Sequence, residues 1–176
     1  MKSVLRYTAA GLALATVGFA SNASAATGSA TASAEILSNL QISANGTVLN
    51  FGQITDDGPL AADSTVVLDP AGGLTCGTDL ICQAGTSSVP TFTVGGFAGE
   101  TVDVSFPAAS TLLTRSGGAL GGMEFQMTVD TFTSSAATVT LTGGTGTFTV
   151  GGTLSVRPNQ APGVYTGAVS VQVEYN

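Results

Sequence analysis

Apolar and polar residues alternate at a period of two through most of this chain, and no window after residue 25 sustains the three-and-four spacing of an amphipathic helix. Successive side chains of a strand point to opposite faces, so this pattern predicts a β protein. Runs rich in Val, Thr, Phe and Ile predict strands at 48–54, 65–68, 91–94, 101–106, 123–131, 138–142, 145–150, 153–156 and 165–175.

Paired glycines separate many of these runs, at 72–73, 95–96, 117–118, 121–122, 143–144 and 151–152. Glycine adopts positive φ without strain, so each pair is a place where the chain can reverse. Short strands joined by such turns predict an antiparallel β-sandwich, since a parallel sheet would need helical crossovers. A β-solenoid is the alternative, but the spacing of the pairs is irregular and no motif recurs at a fixed period.

The first 25 residues have the layout of a secretory signal peptide. Lys2 and Arg6 precede an apolar run over 8–20, and small residues end the segment at Ala25. The run is shorter than the roughly 20 residues that cross a bilayer, so a membrane anchor is disfavoured. We expect cleavage after Ala25, export, and no membrane insertion of the mature chain.

Loss of the signal peptide leaves a length that suits one domain, and a strongly acidic composition. Arg115 and Arg157 then remain against eleven carboxylates, with no lysine and no histidine. Nucleic acids and anionic membranes are bound through Lys and Arg, so we expect neither as a partner.

The same composition argues against catalysis. Without histidine or a mature-chain lysine, Ser-His-Asp, Cys-His and Ser-Lys arrangements cannot be built. Asp56 and Asp57 form the nearest approach to a carboxylate pair, but neighbours on a strand face opposite ways and Asp-Gly-Pro is a turn sequence. With Asp63 and Asp69 nearby, a calcium loop is the alternative, although the spacing is of neither EF-hand nor RTX type. We expect no enzyme, no cofactor and no metal site.

Cys76 and Cys82 are the two cysteines, with five residues between them. An even count in an exported chain predicts a disulfide. The spacing is not that of a CxxC redox pair, and no further cysteine or histidine is present to complete a zinc site. We therefore expect a local bridge that shapes one loop.

The N-terminal segment of the mature chain, at 26–42, also alternates. Ala30, Ala32, Ala34 and Ile36 share one face, and small polar residues and Glu35 share the other. Strict alternation indicates a strand, but it does not specify which sheet the strand joins. The segment is either the first strand of its own sandwich or a strand donated to a partner. The predicted organisation is a signal peptide at 1–25, this extension at 26–42 and a sandwich domain at 43–176.

The C-terminal segment alternates without a break. One face holds the apolar and small residues Tyr165, Gly167, Val169, Val171, Val173 and Tyr175. A strand this long and regular is predicted to be central in its sheet, because a bare edge of this kind would aggregate.

These two ends resemble parts of known proteins. Gly163, fourteen positions from the end, the alternation that follows it and the penultimate Tyr175 resemble the C-terminal signature of Gram-negative chaperone-usher pilins. The sequence GTVLNFG at 46–52 resembles an early strand of their spore-coat-U-like, archaic type. Through LNFGQI, MTVDTF and NQAPGVYTGAVSVQVEY, the mature chain also resembles a secreted bacterial all-β domain family of unknown function.

The pilin resemblance implies an incomplete immunoglobulin-like sandwich that is completed by a donated strand. The acceptor groove would lie beside Gly163, Tyr165, Gly167, Val169, Val171, Val173 and Tyr175, and the inserted residues would be Ala30, Ala32, Ala34 and Ile36. The implied partners are other copies in a head-to-tail fimbrial fibre at the cell surface, with a periplasmic chaperone and an outer-membrane usher.

Two features depart from the pilin pattern: the cysteines can close only a local loop, and the donor face is mostly alanine, which buries little apolar area. The alternative function is a monomeric secreted or surface binding module whose N-terminal segment completes its own sandwich.

Overall fold

The computed structural model describes residues 30–31, 33–46, 48–83, 85–117 and 122–176. The predicted signal peptide and Ala32 lie outside the described residues. The chain divides into two units, Met1–Glu35 and Ile36–Asn176. The described residues of the first unit are exposed and belong to no strand. All the described strands lie in the second unit.

Thirteen strands follow one another in chain order: β1 (Gln41–Ala44), β2 (Ile54–Asp56), β3 (Ser64–Leu68), β4 (Leu74–Cys76), β5 (Leu80–Cys82), β6 (Thr91–Gly95), β7 (Thr101–Ser105), β8 (Ser110–Arg115), β9 (Gln126–Ser134), β10 (Thr138–Thr140), β11 (Thr145–Val156), β12 (Tyr165–Thr166) and β13 (Gln172–Tyr175). Every pairing between them is antiparallel. Within the described part of the chain, the one helical piece is a 3₁₀ turn at Met123–Phe125. The predicted all-β, antiparallel sandwich is confirmed.

The strands form one large sheet and two smaller ones. The large sheet has the order β1-β6-β11-β9-β8-β12, and β3 and β4 extend it beside the second half of β11. The smaller sheets are β10-β7-β13 and the ribbon β2-β5. Strand β11, which is 12 residues long, pairs with β6 through its first half, with β3 through its second half, and with β9 on its other edge.

The inward residues of β11 contribute to two hydrophobic clusters, because alternate positions of a strand share a face. The first cluster packs the second half of β11 against β3, β5 and β9; its buried members are Phe51, Val66, Leu68, Leu80, Val129, Leu154 and Val156. The second packs the first half of β11 against β6, β7 and β10; its buried members are Val94, Val102, Val139, Leu141, Phe148 and Val150.

Strand β9 contains a bulge that no pattern in its sequence predicts. Its register with β11 shifts between Gly151 and Thr153, and Thr131 adopts a positive φ of 50°. The extra residue changes the phase of the alternation, so Val129 before it and Phe132 after it both pack in the first cluster.

The glycines at 151–152 lie inside a strand, so the prediction of a turn there was wrong. A Cβ on Gly151 would meet the carbonyl oxygen of Leu68, and one on Gly152 would lie 3.2 Å from Phe132 and Val129 side-chain atoms. These residues are glycines because neighbouring atoms approach their backbone closely. The pair at 143–144 is a turn as predicted, with φ of 65° and 86°.

The predicted single strand at 165–175 is wrong in its continuity and in its central position. Its start forms β12, which pairs with β8 in the large sheet, and its end forms β13, which pairs with β7 in a smaller sheet. Between them the chain packs against the carbonyl oxygen of Leu112 at Gly167, and Thr111 donates a hydrogen bond to the Ala168 carbonyl. The segment therefore crosses between sheets while its alternation is retained.

The last residues of the chain contact the first residues of the same unit. The Tyr175 hydroxyl donates to the Ser38 carbonyl at 2.9 Å and accepts from the Phe97 N–H at 2.8 Å. Leu40 packs against the second cluster, and Gln41 and Ile42 begin strand β1. The sequence assigned 41–42 to the extension, whereas both residues pair with β6.

The predicted disulfide between Cys76 and Cys82 is present, with a Cα–Cα distance of 6.2 Å. Cys76 lies opposite Val66 of β3, and Cys82 lies opposite Ile54 of β2. The bridge therefore ties the β2–β5 ribbon to the large sheet.

Replacing Gly151 by Ala is expected to destabilise the fold by about 2 kcal/mol, because the new methyl group meets backbone that cannot move without disturbing the β3–β11 pairing. Thermal unfolding measures the effect. Gly95→Ala is the matched control, since a Cβ there has nothing within 4 Å. Equal losses of stability in both variants would show that the contact with Leu68 is not the cause.

Removing the disulfide with Cys76→Ala and Cys82→Ala is expected to cost about 2 kcal/mol in urea unfolding, the entropy of closing so small a loop. Because Cys82 lies opposite Ile54, amide hydrogen exchange in β2 should accelerate more than exchange in β11. Wild-type protein treated with a reductant serves as a comparison. Uniform acceleration across the sheet would contradict a local role for the bridge.

Candidate functional site

A cavity of about 610 Å³ opens between two segments of the chain that are not paired with each other. One wall is 49–56 and the other is 160–165. The floor consists of four apolar side chains of the first cluster and its surroundings: Leu113, Met127, Leu154 and Val156. We call this cavity the groove.

The first wall is held from one side. Asn50 and Ser88 exchange backbone hydrogen bonds of 2.8 and 2.9 Å, and β2 pairs with β5. The Asn50 side chain accepts from the Gly52 N–H, which suits the positive φ of 80° at Gly52. Leu49, Phe51 and Ile54 pack in the first cluster. Within the described residues, β5 is the strand partner of β2, and the two form a separate ribbon.

The second wall is held by Tyr165. Its hydroxyl lies 2.5 Å from the Ala161 carbonyl oxygen and 2.9 Å from that of Glu124, and it accepts a hydrogen bond from the Gln160 side-chain amide. A tyrosine at the start of a strand that bonds backbone a few residues upstream is the tyrosine corner of immunoglobulin-like sandwiches. The corner fixes the loop before β12.

A polar corner, formed by Arg115, Phe125, Gln160 and Gly163, lies at the Tyr165 end of the groove. The Arg115 guanidinium carbon lies 5.7 Å from the centre of the Phe125 ring, a cation–π contact. A Cβ on Gly163 would meet the Arg115 side chain, so glycine at 163 makes room for this arginine. The β12–β8 register places Arg115 directly opposite Tyr165.

Two buried polar atoms of this corner lack hydrogen-bond partners among the described residues: Nε of Arg115 and Oε1 of Gln160. A buried polar group without a partner costs about 1–3 kcal/mol, and native proteins contain few of them. One atom is a donor and the other is an acceptor.

The predicted acceptor residues fall into two groups. Gly163 and Tyr165 line the groove. Gly167 packs on Leu112 and Leu113, Val169 lies between β12 and β13, and the remaining three pack against the second cluster: Val171, Val173 and Tyr175. The groove therefore borders only the start of the predicted strand.

The predicted donor residues are exposed where they are described. Ala30 and Ala34 belong to no strand, and Ile36 is 90% exposed. Ala32 lies outside the described residues.

Sequence reasoning missed most of the groove. It assigned no site role to Arg115 or Gln160, because a lone arginine and a lone glutamine form no pattern. The first wall could have been found from LNFGQI, in which Leu49 and Phe51 alternate and a glycine follows.

The groove consists of two walls that are not paired with each other and an apolar floor between them. Among the described residues, no three His, Cys, Asp or Glu side chains are grouped closely enough to hold a metal ion. In the part of the chain that the structure describes, no helix is long and apolar enough to span a membrane.

Comparison with known proteins identifies one family. A family model described as a domain of unknown function, DUF4402, matches residues 40–175. No curated protein and no solved structure matches the chain. The predicted resemblance to a family of unknown function is thereby confirmed, and the resemblance to pilins stays a prediction. Since the match covers well over half of the sequence, the chain belongs to the DUF4402 family.

Proposed function

We propose that this protein is a structural subunit of an extracellular, fimbria-like fibre, in which the groove of one copy accepts the N-terminal segment of the next. The observation that carries the proposal is the groove itself. Its two walls, 49–56 and 160–165, are not paired with each other, and they flank an apolar floor. A strand inserted between them would gain hydrogen bonds from its backbone and burial from alternate side chains.

The first wall contains eight residues, of which Ile54–Asp56 form strand β2. A donor of similar length is available at 26–37, which precedes the residue bound by Tyr175. Its alternation would place Ala30, Ala32, Ala34 and Ile36 over the floor.

The exposure of Ile36 supports donation. A large aliphatic side chain that is 90% exposed gains about 1.5–3 kcal/mol when it is fully buried. The alanines gain less, so Ile36 would supply most of the side-chain burial in the contact.

When the N-terminal segment of one copy fills the groove of another, the contact is head to tail and does not close on itself. Repeating this contact from copy to copy gives a fibre. The open groove would also need cover before assembly, since unpaired strand edges aggregate. A periplasmic chaperone and an outer-membrane usher are the partners that this assembly implies, and export with final display at the cell surface is the implied location.

The alternative is a monomeric binding module. It is favoured by the way Ser38, Leu40 and β1 fold onto their own unit. In that case the residues before Ser38 would fill the groove of the same copy, and no assembly would follow. We propose no catalytic activity for either form.

A matched pair of variants of the mature chain tests the fibre. Ala34→Asp would place a charge over the apolar floor, whereas Ser33→Asp would place it on the opposite face of the same strand. We expect the wild type and Ser33→Asp to form oligomers of increasing length in light scattering and electron microscopy. Ala34→Asp should stay monomeric with an unchanged melting temperature.

Three results would count against the fibre. Assembly of both variants would exclude the assigned donor face. A monomeric wild type with a melting temperature lowered by Ala34→Asp would support the binding module. A monomeric wild type that is indifferent to both substitutions would exclude insertion of the segment altogether.

A further inference from the structure

The polar corner contains one hydrogen-bond donor and one acceptor that together complement the backbone of a single peptide residue. In an extended strand, the N–H and the C=O of one residue point to the same side. Arg115 Nε is an unpaired donor and Gln160 Oε1 is an unpaired acceptor, and both belong to residues at the same end of the groove. A single peptide residue offers the complementary acceptor and donor.

We propose that Arg115 and Gln160 bind the main chain of the strand that occupies the groove, and that the occupant is the segment 26–37 of a second copy. This inference rests on the proposed function and adds the residues that fix where the strand lies. Arg115 would donate to a peptide carbonyl, and Gln160 would accept from a peptide N–H.

Gln160 lines the groove, and Arg115 lies against a lining residue. The Gln160 amide nitrogen donates to the Glu124 carbonyl and the Tyr165 hydroxyl, so the amide is held in place and its oxygen is the end that is left to accept a hydrogen bond. Arg115 lies against Gly163, another lining residue, and no Cβ stands between them. Leu113, two residues earlier on the same face of β8, forms part of the floor, so Arg115 points to the inner side of the sheet.

The charges favour this occupant. Of the two arginines outside the signal peptide, Arg115 forms the corner and Arg157 directly follows Val156 of the floor. The segment 26–40 contains no Lys or Arg and a single carboxylate, Glu35. It therefore brings no cation toward the arginines. Its small side chains also suit the end of the groove where Arg115 fills the space beside Gly163.

The test is peptide binding to a chain that cannot donate its own segment. The host is the full mature chain with Ala34→Asp, and the probe is a fluorescent peptide of residues 26–40. Arg115→Met removes the donor but retains an unbranched apolar stem of similar length. Arg157→Met makes the same charge change at the same end of the groove, and Arg157 has no orphaned buried atom.

We expect Arg115→Met to weaken peptide binding about tenfold, as the loss of one hydrogen bond from a charged donor. Its melting temperature should fall by only about 2–4 °C, because the contact with the Phe125 ring is lost while the Nε atom gives up no hydrogen-bond partner among the described residues. Arg157→Met should bind like the parent host. A pure packing role for Arg115 would lower stability and leave affinity unchanged.

Three further outcomes separate this inference from the proposed function on which it rests. Equal affinities for Arg115→Met, Arg157→Met and the parent overturn the main-chain contact alone, and they leave strand insertion standing. An equal loss in both variants assigns the effect to net charge and also overturns it. Failure of every host to bind the peptide overturns the proposed function and this inference together.

Discussion

Backbone pairing along β11 is the interaction on which the rest of the structure depends. This strand is paired along nearly all of one edge, by β6 and then β3, and along its second half on the other edge, by β9. Its inward residues contribute to both hydrophobic clusters, with Phe148 and Val150 in one and Leu154 and Val156 in the other. The carbonyl oxygen of Leu68, at the end of β3, lies so close to β11 that no side chain fits at the facing position. The residue at that position is Gly151.

The open groove follows from how few strands cover the first cluster. Three paired strands, β10, β7 and β13, cover the second cluster. Among the described residues, the first cluster is covered by the short ribbon β2-β5 and the chain that leads into it. The ribbon is tied by a disulfide because so small a sheet has little burial of its own.

Period-two alternation predicted an all-β chain, the glycine turns predicted antiparallel pairing, and the cysteine count predicted the local disulfide. Alternation could not predict partners, because it specifies faces and not neighbours. The segment 165–175 keeps its alternation while it moves from β8 to β7. The bulge at Thr131 and the close approach at Gly151 depend on atoms distant in sequence, so glycine was read there as a turn. For the same reason, the sequence did not indicate Arg115 and Gln160. Both are brought to the site by Tyr165: Arg115 lies opposite it in the strand register, and Gln160 donates a hydrogen bond to its hydroxyl.

Gly163 belongs both to the alternating C-terminal pattern of the sequence and to the wall of the groove. In the sequence it marks the start of an alternating segment; in the fold it is the place where a side chain is absent so that Arg115 can lie inside the sheet. A cation buried beside an apolar floor weakens a closed core, since its donors need partners. The same cation suits a site that is completed from outside, because an incoming backbone supplies the missing acceptor. In the proposed complex, the cost of the two unpartnered atoms in the free chain would be recovered when an occupant binds.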